Sequence, residues 1–293
     1  MSISLFRKLC HGAVAVLLSC IVVAPAANAA QEDVPLWIQA TGSAVSRGDV
    51  DNGGSYSSQT GGVQAGWKWF TFSYARTSYD WKDVDRLPFG NRHDDPWDAL
   101  TRVSLDAAFD GMFTDSLGWF GGVTVGSAYE DEMDDSYFVG GRAGLSLNVN
   151  GVALRGGVGV FANGVDAKAL PVVAASWGRA SDMGLSATIG FPRSDVRYRF
   201  SELWAARVGL TGDRGVYRLK NDSPVADKGY VMEEGYTLGA YADVSPMENL
   251  TFSVGPEYVF GRRLSIYDKD GDRMDREDVD GSLGGSLRVR WSF

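Results

Sequence analysis

The most constraining feature of this chain is a two-residue alternation that runs to its last residue. From 282 to 293, Leu283, Gly285, Leu287, Val289, Trp291 and Phe293 fall on one side. Ser282, Gly284, Ser286, Arg288, Arg290 and Ser292 fall on the other. Successive side chains of a strand point to opposite faces, so this segment is a strand with one face for lipid and one for water. The pattern recurs. Tyr137, Val139, Ala143, Leu145, Leu147 and Val149 oppose Ser136, Gly140, Arg142, Gly144, Ser146 and Asn148. Leu250, Phe252, Val254, Tyr258 and Phe260 oppose Thr251, Ser253, Gly255 and Glu257. No segment after residue 30 reaches 18 consecutive apolar residues, so a spanning helix is not available there.

A soluble sandwich also alternates, and three further signals separate the two cases. Small residues crowd the side opposite the apolar one, whereas a sandwich exterior is rich in Lys, Glu and Thr. The connections alternate between short ones, such as 148–151 and 245–249, and longer charged ones, such as 130–135 and 268–280. Trp67, Trp69, Trp119, Trp177, Trp204 and Trp291 lie near strand starts or ends, where interfacial aromatic girdles sit.

The first thirty residues read as an address. Arg7 and Lys8 precede an apolar run from Gly12 to Ala24, and Ala27 and Ala29 form an A-x-A site, the three parts of a secretory signal peptide. The stretch Leu17-Leu18-Ser19-Cys20 is a loose lipobox, but the apolar run continues beyond it. Removing residues 1–30 removes both cysteines and leaves 26 basic against 37 acidic residues, a net of −11, with His93 as the single histidine. A site built on several His or Cys ligands is excluded, no cofactor is expected, and the acidic balance argues against a nucleic-acid partner.

The alternating strands, the leader and the terminal Trp291-Ser292-Phe293 resemble a Gram-negative outer-membrane β-barrel protein of an uncharacterised, porin-like kind. The usual terminal signal also favours a Gly where this chain has Arg288, with Gly285 nearby. The resemblance implies an all-β, antiparallel up-and-down barrel in the outer membrane. It also implies export by the secretory pathway, and Trp291 and Phe293 as the signal read by the barrel assembly machinery. Strands are expected near 62–80, 99–110, 117–129, 136–148, 151–162, 169–178, 184–192, 195–200, 203–219, 229–243, 249–267 and 281–293. That makes about twelve, with fourteen as the alternative. Residues 31–61 are then an N-terminal extension or strap, and 62–293 the barrel.

On this register the water-facing side carries Arg102, Arg142, Arg155, Arg207, Arg288 and Arg290 with Asp106, Asp243 and Glu257. Such a lumen either favours small anionic solutes or simply pairs its charges and fills the barrel. The acids concentrate in the expected outer loops, five in 130–135 and seven in 268–280. Asp268, Asp270 and Glu277 are weak calcium-ligand candidates near Gly271. The simpler reading is a hairpin tip, with Asp270-Gly271 as a type I′ turn. Acidic tips of this kind also suit contact with divalent ions and lipopolysaccharide. His93, in Asn91-Arg92-His93-Asp94-Asp95-Pro96, is the one handle for a hydrolase. A Ser/His mechanism needs a hydroxyl within reach of the imidazole, and the expected serine place two residues on holds Asp95. The chain therefore reads first as a channel, then as a non-transporting surface barrel acting through acidic loops, and last as a hydrolase.

Overall fold

The computed structural model describes residues 36–293, so the expected leader lies outside the described residues. Fifteen strands follow in order: β1 (Leu36–Asp49), β2 (Ser55–Trp67), β3 (Phe70–Lys82), β4 (Ala99–Met112), β5 (Leu117–Tyr129), β6 (Tyr137–Val149), β7 (Val152–Ala162), β8 (Ala167–Trp177), β9 (Gly184–Phe191), β10 (Arg193–Arg199), β11 (Trp204–Arg218), β12 (Tyr230–Met247), β13 (Leu250–Tyr267), β14 (Arg273–Val279) and β15 (Ser282–Ser292). Each strand from β1 to β13 pairs antiparallel with the next, and β13–β15 and β15–β1 close the ring. Fourteen strands form the barrel. β14 lies outside that ring, paired with the outer end of β13.

The expected count of twelve is therefore corrected to the alternative, fourteen. Residues 36–61, expected as an extension or strap, supply β1 and half of β2, and β1 meets β15 from Trp37↔Ser292 to Val45↔Gly284. The expected single strand at 62–80 is two strands, joined at Lys68-Trp69 with Lys68 at φ +51. The hairpin at 268–272 is present, but Gly271 alone takes positive φ (+87), and the Asp268 carboxylate accepts from the Asp270 and Asp272 amides. The turn is not type I′.

Both described ends and the turns at 68–69, 113–116, 150–151, 178–183, 200–203 and 248–249 lie at one rim; the long connections lie toward the other, with the shorter turns at 50–54, 163–166 and 192. The outward face carries an apolar belt. On β7 it runs through Val152, Leu154, Val158 and Val160, roughly 27 Å along a strand and about 20 Å along the normal at a tilt of ~40°. All six tryptophans named above are exposed at the short-turn rim. Tyr74, Tyr137, Tyr236 and Tyr258 stand exposed toward the other, as a second girdle requires.

The apolar core is not spread through the barrel. It sits inside the long-loop end, where Tyr56, Trp81, Leu100, Val231, Leu264 and Ile266 point inward from strands. Leu87, Phe89 and Trp97 from residues 83–98, and Leu219 and Ala226 from 219–229, fold in between them. Trp97 and Leu87 are fully buried, Trp97 stands edge-on to Trp81 at 5.0 Å, and the Trp81 indole donates to the Trp97 carbonyl at 2.9 Å. β12 and β13 slip register between Glu234 and Tyr236, close to Gly261 at φ +59. Such a bulge bends strands, and beyond it β11 pairs in parallel with β5 through Arg218↔Tyr129. The mouth is thereby narrowed and filled. Next to that junction Glu130 accepts from the Lys220 amide at 3.0 Å and pairs with its ammonium at 3.3 Å, while burial pushes its carboxyl pKa up.

Replacing Trp97 with Ala removes the largest fully buried side chain of this core. It is expected to lower stability by about 3–5 kcal/mol, read from equilibrium unfolding of the reconstituted protein. An unchanged unfolding midpoint would mean that the loop does not hold the mouth shut.

Candidate functional site

The face opposite the apolar belt lines the lumen, and strand pairing fixes who shares it. Asp195, Arg197 and Arg199 on β10 stand beside Gly209, Arg207 and Ala205 on β11. Arg207 stands beside Tyr241, and Asp243 beside Ser253, which in turn meets Arg288 on β15. Arg290 meets Thr251 and Gln39. On the other wall Arg102 and Asp106 on β4 face inward with Thr124 on β5, Arg142 on β6 and Arg155 on β7. All nine expected lumen residues thus face inward.

The structure adds Arg193, Arg197, Arg199, Asp110, Asp195 and Asp213 to that face. The lower and middle lumen then carries nine arginines (102, 142, 155, 193, 197, 199, 207, 288, 290) against six carboxylates (106, 110, 195, 213, 243, 257). Arg193, Arg197 and Arg199 were open to sequence reading through their i, i+2 spacing, which puts all three on one face of a strand.

Some of these charges are compensated. Arg197 and Arg207 converge on one oxygen of Asp243, the Arg207 Nε at 3.4 Å, and Asp243 is 2% exposed. Glu257 accepts from Tyr241 at 2.8 Å and Ser286 at 2.7 Å, and Asp106 accepts from Thr124. Other arginines lean on aromatic faces instead of carboxylates: Arg102 on Phe138 at 4.4 Å, Arg155 on Phe120 at 5.8 Å, Arg290 on Trp37 at 4.2 Å. Arg193 donates to Thr211 at 3.4 Å. Among the described residues, Arg102, Arg155, Arg193, Arg199, Arg288 and Arg290 form no ion pair within 4.0 Å. The lumen keeps net positive charge while the chain as a whole is acidic.

The other candidates separate. Asp268 is occupied in its own turn, and Glu277 is buried and accepts from Asn52 at 3.1 Å. They do not converge with Asp270, and among the described residues no group of three or more His, Cys, Asp or Glu is placed to hold a metal ion. His93 is exposed, and its backbone amide donates to Asn91. Among the described residues no serine hydroxyl is hydrogen-bonded to its imidazole. Trp291 and Phe293 stack at 5.0 Å on the outer surface of the closing strand, and the Phe293 amide donates to Leu36.

No family model matches the chain, and no curated protein matches it. Solved structures similar to it include the COG4313 outer membrane channel from Pseudomonas putida F1, with 12% identity and a TM-score of 0.48, covering 93% of this chain and all of that one. Pseudomonas putida OprB gives 12% identity and 0.38, covering 88% and 93%. The translocator domain of the autotransporter NalP from Neisseria meningitidis gives 12% and 0.37, covering 89% of each chain. The chain is an outer-membrane-type β-barrel. That rests on its closed ladder and its apolar belt; likeness at these scores carries nothing about solute or mechanism.

Replacing Asp243 with Asn leaves two lumen arginines without their shared carboxylate. It is expected to cost about 3 kcal/mol, the low end for breaking a buried pair because both arginines border the lumen. Unfolding of Asp243→Asn beside the parent protein reads this directly.

Proposed function

We propose that this barrel is a passive outer-membrane channel whose lumen favours small anionic solutes. The observation that carries the reading is the excess of lumen arginine over carboxylate, with six of those arginines forming no ion pair among the described residues. Fixed positive charge in a narrow low-dielectric passage raises the local concentration of anions and excludes cations. The reading includes export with loss of residues 1–30, assembly through the Trp291 and Phe293 signal, and contact of the acidic tips with lipopolysaccharide.

The filled mouth favours a second reading, a barrel closed at rest that acts through its surface. Planar-bilayer recording separates the two. The channel reading expects chloride to be preferred over potassium in the reversal potential, with Arg288→Glu lowering that preference at least twofold. Well-folded protein that conducts nothing leaves the surface reading in place.

A further inference from the structure

The barrel wall is not of even height. β9 and β10 have eight and seven residues, and their hairpin tip at Phe191-Pro192-Arg193 stops well below the neighbouring strands. β8 pairs with β9 only from Val173 to Trp177, so residues 167–172 have no strand on that side. β11 pairs with β10 only up to Thr211, its Gly212 amide donates to the Pro192 carbonyl at 2.9 Å, and Asp213 is the β11 residue left open below Arg214, above which Val216 packs against Val165. The gap is bounded above by Arg214, which pairs across it with Asp166 at 2.7 Å, and by the Arg218↔Tyr129 bridge. The free edge of β8 therefore faces β11 at Asp213 across a window in the wall.

Free strand edges are not tolerated against hydrocarbon, because every unpaired N–H and C=O there costs several kcal/mol. They are tolerated where they line a wet cavity, and the window opens onto one. A cavity of about 240 Å³ lies behind it. Its approach is apolar, through Leu170, Pro171, Val172, Phe191 and Pro192, and Pro171 needs no donor at a strand edge. Its floor is charged, with Arg142, Arg155 and Arg193 against Asp110 and Asp195. The direct route from outside is filled by the aromatic core around Trp97.

We propose that the window between β8 and β11, above the β9–β10 tip, is the solute entrance and binds an organic acid with an apolar body. The apolar rim takes a ring or short chain, and Arg193 and Arg155 take the anionic group. A cavity below the ~300–1,000 Å³ of drug-sized sites limits the body to one or two rings or a short chain. The inference rests on the anion-channel reading and adds the direction of entry and the chemistry of the solute.

The probe is 1-naphthalenesulfonate, whose charge persists at all working pH. Leu170→Cys protein in phosphatidylcholine vesicles is treated with N-phenylmaleimide, and the label is located by mass spectrometry. The probe is expected to slow labelling at position 170 at least fivefold, while gluconate and uncharged 1-naphthalenemethanol do not. Adding Arg193→Gln removes the protection, and adding Arg290→Gln, at the far end of the lumen, retains it. Arg155→Gln replaces Arg193→Gln if the latter does not fold. No protection, protection by the uncharged analogue alone, or protection indifferent to both variants overturns the proposal. The same preparation is recorded in bilayers: chloride conductance without protection sinks the window and spares the channel. Protection without conductance supports the binding site and sinks the channel.

Discussion

Inside a bilayer a sheet cannot keep a free edge, because no water is present to satisfy unpaired backbone groups. The nine residue pairs that join β1 to β15, from Trp37↔Ser292 to Val45↔Gly284, meet that demand. Closure turns alternation into an inside and an outside. It places every other residue in lipid and the rest in the lumen, and so decides that Leu287 meets acyl chains while Arg288 meets water. Without that pairing none of the charge arrangement would have a location.

Closure also separates charge of opposite sign. Carboxylates collect at the long-loop rim, whereas the wall interior keeps an excess of guanidinium, part of it resting on Phe120, Phe138 and Trp37. Stacking on a ring face is a weaker neutraliser than a carboxylate. It holds an arginine in place while leaving its charge available. Asp243 marks the contrasting solution, two guanidiniums locked on one buried acid. The wall thus uses some arginines as struts and keeps others electrically open.

Much of this was legible in the sequence. The faces of β6, β7, β13 and β15 read correctly because lipid on one side and water on the other leave a strict period of two. The pair β2–β3 was hidden because its turn, Lys68-Trp69, has neither Gly nor Asn. The parity of the apolar residues does change across it, from Val63, Ala65, Trp67 to Phe70, Phe72, Tyr74, and that change is the mark of a turn. β1 was read as a strap because its alternation is weak, with only Ala40, Gly42 and Ala44 following Leu36 and Ile38 on the outward face, and counting it would have made an odd thirteenth strand. The filled mouth was not legible at all. Leu87, Phe89 and Trp97 sit in a polar loop without periodicity, and only the tertiary fold brings them against Trp81.

That aromatic packing also changes what the cell shows to its surroundings. Long outer loops on a barrel usually act as loose tethers that sample many shapes. Here the longest one is fastened at Leu87, Phe89 and Trp97, which leaves Gly90 to Asp95 as its exposed crest. An antibody, a phage tail or a protease meets a small, stiff relief instead of a mobile strand of peptide. Variation at this surface is then confined to the crest and the acidic tips, because a change at any of the three fastened residues would be felt throughout the cap.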